Sequence, residues 1–357
     1  MTSIDGDAGA VRGAPPPALD VIDAIRRRPG MYVGGTDATG LHGVVMGVIG
    51  NAFDQHLAGR CTRIDVRVDA DCWIEVADDG PGMTSDAEVI LRRFAVDTRR
   101  PTEDGHRPHV HLEDNAFSLV VVCALAEVVE LTTVRAGVEL SARWRRGRVE
   151  LAPTTQPSVA PTGTRLRWRA DPEIFGVSVL DLGTLMTRLD ELAALAPGLA
   201  IGHAFEGVTT EPRGLAGWVA RTAEVPLDHV IAARVDTTAG DQPLTVDVAV
   251  AWPRFARSTM VSYVNYQRSR DHGVHVDGVF DGLARALDVP RGRIRADHYG
   301  AVAVVLADVH FGNPTRDRLV SPAVRPAVAA VVAAAVRAWT AAHPDAAVAL
   351  RTRLGGR

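Results

Sequence analysis

The chain has 357 residues, 46% of them hydrophobic and 23% charged, with a formal net charge of −4. That length suits two or three domains with buried cores, and the slightly acidic balance excludes an overall basic surface of the kind that nucleic acid selects. Cys61, Cys72 and Cys123 have no metal-type or redox-type spacing, which excludes a disulfide framework and leaves them as reduced structural thiols. Residues 1–18, with acids and the run Pro15-Pro16-Pro17, form no packed element and no signal peptide, so a flexible arm is expected there. A first helix is predicted from Asp20 to just before Pro29, and a helical pattern runs from Leu41 to Leu57 and stops at Gly59. Residues 63–76 alternate like one strand and lead into the turn Asp78-Asp79-Gly80-Pro81-Gly82-Met83. Ala87 to Phe94 reads as helical, 97–115 as a long polar loop, and 119–125 as a helix. Strands are predicted over 127–134, 138–144, 149–152 and 163–168.

Gly, Pro, Thr and Glu break the periodicity between Gly207 and Pro226, so a second unit is placed at 216–357 after a first at 19–215. Strands over 244–252, 260–265 and 301–309 flank a helix over 278–287. A last helix is predicted to start at Ser321-Pro322 and to run in Ala and Val to Ala342. Helices and antiparallel strands come in blocks, which argues for an α+β fold and against a doubly wound parallel sheet. No window holds the ~18 to 20 uninterrupted apolar residues of a membrane span. A cytoplasmic protein without membrane contact is expected.

The segment Arg26-Arg27-Arg28-Pro29-Gly30-Met31-Tyr32-Val33-Gly34, then Gly40-Leu41-His42, then the helix around Asn51 and Asp54, resembles the opening of the gyrase B and topoisomerase IV B subunits. The turn at Asp78 resembles the family's Asp-Asp-Gly-x-Gly-Ile. The resemblance spans about Asp20 to Trp339 and implies a GHKL (Bergerat-type) ATPase sandwich followed by a transducer domain. It also implies ATP with Mg²⁺ as ligand: Asp78 would accept from the adenine amino group, Gly80 and Gly82 would let backbone approach the base, and Thr164 would bridge to the carboxylate. Asn51 would supply an oxygen to Mg²⁺. Asn51, Asp78, Gly82, Arg135 and Thr164 also match positions through which aminocoumarin inhibitors hold the family, although Pro81 and Thr84 stand where the family has Arg and Pro.

Three departures lie at the phosphate end. The family's catalytic glutamate, which activates water, is Gly47 here, and glycine cannot accept a proton. The glycine-rich lid that wraps the triphosphate is replaced by Leu112-Glu113-Asp114-Asn115-Ala116-Phe117-Ser118, with two carboxylates and no glycine. In the stretch Asn313 to Leu319, which resembles the transducer loop Ser-Gln-Thr-Lys-x-Lys-Leu, the Gln is Pro314 and the Lys is Arg316. All 39 basic residues are arginine, so any phosphate contact at Arg316 falls to a planar guanidinium. The stretch Tyr266 to His275 resembles the transducer segment Gln-Arg-Asp-Gly-Gly-Thr-His.

Weak ATP binding and very slow or absent hydrolysis are therefore expected. The family continues into a metal-binding cleavage domain and this chain stops, so no DNA cleavage of its own is expected, DNA entering only through a partner subunit. Homodimerisation, or service as the ATP-driven clamp of a split topoisomerase, stays open. So does a pocket turned to another small molecule. One form is acid–base chemistry by His109 or His111 with Glu113, or metal binding that adds His106; the other is an inhibitor-binding resistance protein.

Overall fold

The computed structural model describes residues 18–83, 119–176, 179–203, 207–255, 258–313 and 315–355. The first unit comprises α1 (Ala18–Arg27), α2 (Gly30–Val33), α3 (Ala38–Leu57), β1 (Arg63–Val68), β2 (Trp73–Asp78), α4 (Leu119–Leu125), β3 (Ala126–Arg135), β4 (Val138–Arg145), β5 (Arg148–Pro157), β6 (Gly163–Ala170), α5 (Pro172–Phe175), α6 (Leu182–Leu195), β7 (Ala200–His203) and β8 (Gly207–Thr209). Its sheet has the order β5-β4-β3-β6-β2-β1-β7-β8, antiparallel apart from the β1/β7 pair. The second unit comprises α7 (Gly214–Ala223), β9 (Ile231–Ala239), β10 (Gln242–Ala251), β11 (Ser258–Val264), β12 (Gln267–Arg268), α8 (Val274–Leu287), α9 (Arg291–Ala296), β13 (His298–Leu306), α10 (Val324–Ala342) and α11 (Pro344–Arg353). Its sheet has the order β12-β11-β13-β10-β9. This is the α+β architecture expected. The domain boundary placed after 215 falls in the first turn of α7, which packs on α6 on one side and on β10 and β13 on the other.

Period-2 burial explains the large sheet. Val76, Leu131, Leu166, Trp168, Trp144 and Leu140 point inward and share one core with Val45, Ile49 and Phe53 of α3. The outer face carries charge in register: Arg67, Glu75, Arg167, Glu130 and Arg143 follow one another across β1, β2, β6, β3 and β4. Alternating sign makes each cross-strand neighbour attractive. A cavity of about 750 Å³ opens on this outer face, lined by those five residues with Trp73 and Leu151. The Arg167 guanidinium lies 4.2 Å over the Trp73 ring and pairs with Asp69 at 3.1 Å.

Three expected elements differ. The stretch 63–76 is two strands, because Asp69 Oδ1 accepts the N–H groups of Asp71 and Trp73 and turns the chain at 69–72. The last helix begins at Val324, three residues after the expected cap, because the Ser321 hydroxyl accepts the N–H of His310 instead. The strand expected over 301–309 is β13, three residues earlier, and β7, β8, β9, β12, α2, α5, α6, α7, α9 and α11 had no sequence counterpart. α10 is, among the described residues, the one helix long and apolar enough to cross a membrane. It is a core helix: Val324, Val328 and Val336 are fully buried against α8.

α3 is capped by Asp37, whose Oδ1 accepts the N–H groups of Thr39 and Gly40 at 3.0 and 3.2 Å. It contains Gly40, Gly43, Gly47 and Gly50. Each interior glycine costs a helix ~1 kcal/mol relative to alanine, so α3 depends on its tertiary contacts.

His275 of α8 is fully buried with neither ring nitrogen hydrogen-bonded among the described residues. Burial, helped by His272 nearby, pushes its pKa down to about 3. The unfolded chain then takes a proton near pH 6.5 that the folded ring refuses, so stability is full above that pH and falls as pH drops toward 3. The loss is about 2 kcal/mol at pH 5. Urea midpoints measured from pH 8 to pH 5 should fall for the wild type and fall less for His275→Leu; equal slopes would contradict the assignment.

Candidate functional site

The ends of β2, β3 and β6 meet at one edge of the large sheet. Asp78 closes β2 opposite Thr164 of β6, and its Oδ1 accepts the Gly80 N–H at 2.9 Å. Burial pushes the Asp78 carboxyl above the usual carboxylate range. The Gly80 N–H opposes this, the charge of Asp79 adds to it, and the Thr164 N–H opposes it again. Its neighbour behaves in the opposite way. Burial alone would raise Asp79, but hydrogen bonds from the Thr62 hydroxyl and the Arg63 and Thr62 N–H groups hold it down to about 2. Asp79 thus staples the turn to the start of β1, through Thr62 N at 2.8 Å and Arg63 N at 2.9 Å. The two neighbouring carboxylates are thus held differently, Asp79 by β1 and Asp78 by its own turn and β6.

The glycines are demanded by space. A Cβ on Gly82, whose φ is 72°, would lie 2.3 Å from the Val134 carbonyl oxygen, and one on Gly163 would lie 2.2 Å from that of Asp78. A Cβ on Gly80 would meet Asp78 Oδ1 at 2.7 Å and Gln55 Cβ of α3 at 3.5 Å, so the turn lies against the helix one turn beyond Asn51. Arg135 reaches back over the turn, its Nη1 donating to Gly82 O at 3.3 Å.

The structure therefore brings Asp78, Gly80, Gly82, Arg135 and Thr164 together beside α3. Asn51 on that helix is exposed, Asp54 is half-buried, and Gly47 is half-buried one turn before Asn51. Arg316 stands in the second unit, exposed, at the tip of a tied loop. Its φ is 57°, its N–H donates to Asn313 O at 3.2 Å, and the Asn313 side chain and Asp317 bond each other through both Oδ1 to N–H and Nδ2 to carboxylate contacts. His106, His109, His111, Glu113, Asp114, Thr84, Pro314, the rest of the lid segment and residues 1–17 lie outside the described residues.

Thr133 is a site residue that sequence reasoning missed. Its hydroxyl accepts the Met83 N–H at 2.8 Å, donates to Gly163 O at 3.1 Å and lies 3.2 Å from the Thr164 hydroxyl. The signal was a polar residue at an inward position of β3, between Leu131 and the strand end.

Two family models match. One described as histidine kinase-, DNA gyrase B-, and HSP90-like ATPase covers residues 36–171, and one described as DNA gyrase B covers 214–354. The DNA gyrase B-subunit of Synechocystis sp. is 30% identical over 345 residues, which cover 86% of this chain and 31% of that protein. The mitochondrial DNA gyrase B-subunit of Arabidopsis thaliana is 28% identical over 373 residues, 92% of this chain and 50% of its own length. The chain thus spans about half or less of these curated relatives. Among solved structures, the 43K ATPase domain of Thermus thermophilus gyrase B in complex with an aminocoumarin is similar with a TM-score of 0.74 and 25% identity over 95% of both chains. The B-subunit of the DNA gyrase from Myxococcus xanthus is similar with a TM-score of 0.77 and 25% identity over 95% of this chain and 100% of that one. The chain is a gyrase B-like protein, with a GHKL ATPase fold followed by a transducer-type domain.

Proposed function

We propose that the chain binds an adenine nucleotide with Mg²⁺ between α3 and the ends of β2 and β6 and hydrolyses it very slowly or not at all. The observation that carries this reading is the contrast between a glycine turn built around a half-buried carboxylate and a helix with glycine at position 47. Asp78 offers a half-buried carboxylate beside glycines that admit no Cβ, a shape and charge suited to an exocyclic amino group. Asn51 is the one protein oxygen this reading assigns to Mg²⁺, an ion that keeps most of its waters. When bound, the ion would neutralise phosphate charge. Gly47 offers no atom that can take a proton from water, and general-base loss alone removes roughly 10² to 10⁴ in rate. Calorimetric titration with a non-hydrolysable ATP analogue and Mg²⁺ tests the binding half: micromolar heat is expected, and no heat and no competition by any nucleotide would sink it.

Association with a second copy, or with a partner subunit that holds DNA, belongs to the same proposal, as does residence in the cytoplasm. Nucleotide-dependent dimerisation would be the mark of an ATP-driven clamp. A second reading, inhibitor binding, is favoured by Arg135 arching over Gly82 and by the aminocoumarin held by the Thermus thermophilus ATPase domain. Equilibrium dialysis with an aminocoumarin decides it, and no uptake at micromolar protein removes it.

A further inference from the structure

We infer that Tyr266, at the tip of the β11–β12 hairpin of the second unit, is a positioning residue for the nucleotide site, acting by clamping α3. The inference rests on the nucleotide reading for its functional part and on geometry alone for the clamp.

α3 is weakened by its four glycines and holds Asn51 on an exposed face. Two residues later Phe53 is fully buried, and its ring meets Tyr266 edge-on, with centroids 5.2 Å apart and an interplanar angle of 69°. That contact joins the helix of the first unit to a hairpin of the second. The hairpin tip is unusually constrained. Asn265 and Tyr266 have φ of 50° and 69°, the two left-handed residues of a tight two-residue turn. The Asn265 side chain is tied to β13 on both sides, Nδ2 donating to Leu306 O at 3.0 Å and Oδ1 accepting Leu306 N–H at 2.9 Å.

A second hold comes from below. Arg188 of α6 donates from Nη2 to the Tyr266 carbonyl at 2.7 Å and pairs through Nη1 with Glu191 at 3.2 Å, both side chains being buried. Removing a buried charge from water is costly unless the pair is well satisfied, so this arrangement marks a fixed point. Tyr266 is thus gripped from both units while its ring bears on the helix that carries Asn51. An aliphatic side chain at 266 would keep the turn but lose the edge-to-face contact. Nucleotide held at Asn51 and order in the β11–β12 hairpin must then be linked in both directions.

Hydrogen–deuterium exchange of wild type, Tyr266→Leu and Tyr266→Phe tests this, without ligand and with a non-hydrolysable ATP analogue plus Mg²⁺. Without ligand, Tyr266→Leu should speed exchange over 47–57 by about tenfold relative to the protected strand 244–250, and Tyr266→Phe should restore the wild-type rate. Unchanged exchange over 47–57 in Tyr266→Leu overturns the clamp. With the analogue, wild type should gain protection both at 78–83 and at 262–268, whereas Tyr266→Leu should keep the first, lose the second and bind about tenfold more weakly. Protection at 262–268 that survives in Tyr266→Leu overturns the coupling. Analogue protection absent everywhere in wild type sinks the nucleotide reading and the coupling together, while the ligand-free arm still decides the clamp. If Tyr266→Leu does not fold, Phe53→Leu removes the same contact from the other side, with the same outcomes expected and excluded.

Discussion

Asp78→Asn is expected to weaken binding of an ATP analogue by about a hundredfold while leaving the melting temperature unchanged or slightly raised. The carboxylate has one oxygen engaged by the Gly80 N–H at 2.9 Å. In the amide, the single carbonyl oxygen must serve that N–H and the Thr164 N–H that also bonds the carboxylate, which turns an NH₂ group toward the ligand, donor against donor. Losing a hydrogen bond to a charged acceptor costs about 1.5–3 kcal/mol, of the order that a hundredfold change in affinity requires. Stability moves the other way. A carboxyl whose pKa is raised by folding is one whose charged form the fold disfavours, so a neutral isostere removes a penalty at pH 7. Calorimetry and thermal melting on the same preparation check both halves. Unchanged affinity would remove Asp78 from the site, and a large fall in melting temperature would make it a structural residue. For the same reason wild-type affinity should decline as pH drops through the raised pKa of Asp78, since the protonated carboxyl accepts less well.

Gly47→Glu is expected to raise Mg²⁺-dependent phosphate release by on the order of a hundredfold, the low end of what a general base contributes. The new carboxylate would stand one helical turn before Asn51 on α3, and replacing an interior glycine also favours the helix by ~1 kcal/mol. The low end is chosen because the segment 112–118 has no glycine and carries Glu113 and Asp114, a composition that under the proposed function suits a triphosphate poorly. A Gly47→Glu protein that binds the analogue as wild type does and still releases no phosphate would show that the missing base is not what limits the reaction.

Much of this site was readable in the sequence, because its chemistry sits in contiguous stretches. Asp78 to Gly82 is a turn whose last glycine the backbone demands, and Asn51 lies on a helix with a clear period. Two kinds of information were not readable. The partition of roles between Asp78 and Asp79 depends on Thr62 and Arg63, brought in only when β1 pairs with β2. Thr133 and Tyr266 act through partners 30 or more residues away, Gly163 and Met83 for the first and Phe53 and Arg188 for the second. Element ends slipped where side chains competed for backbone, as Asp69 did in making a turn inside an alternating run and Ser321 did in serving His310 rather than a helix.

The central claim is a nucleotide pocket that has kept its base-binding half and lost its hydrolytic half. It is tested most directly by steady-state phosphate release from ATP and Mg²⁺, wild type against Asn51→Ala. Release by the two proteins at the same background rate is the predicted result. Robust Mg²⁺-dependent turnover in wild type that Asn51→Ala abolishes would contradict it, and would mean that another group in the pocket has taken the role left vacant at Gly47.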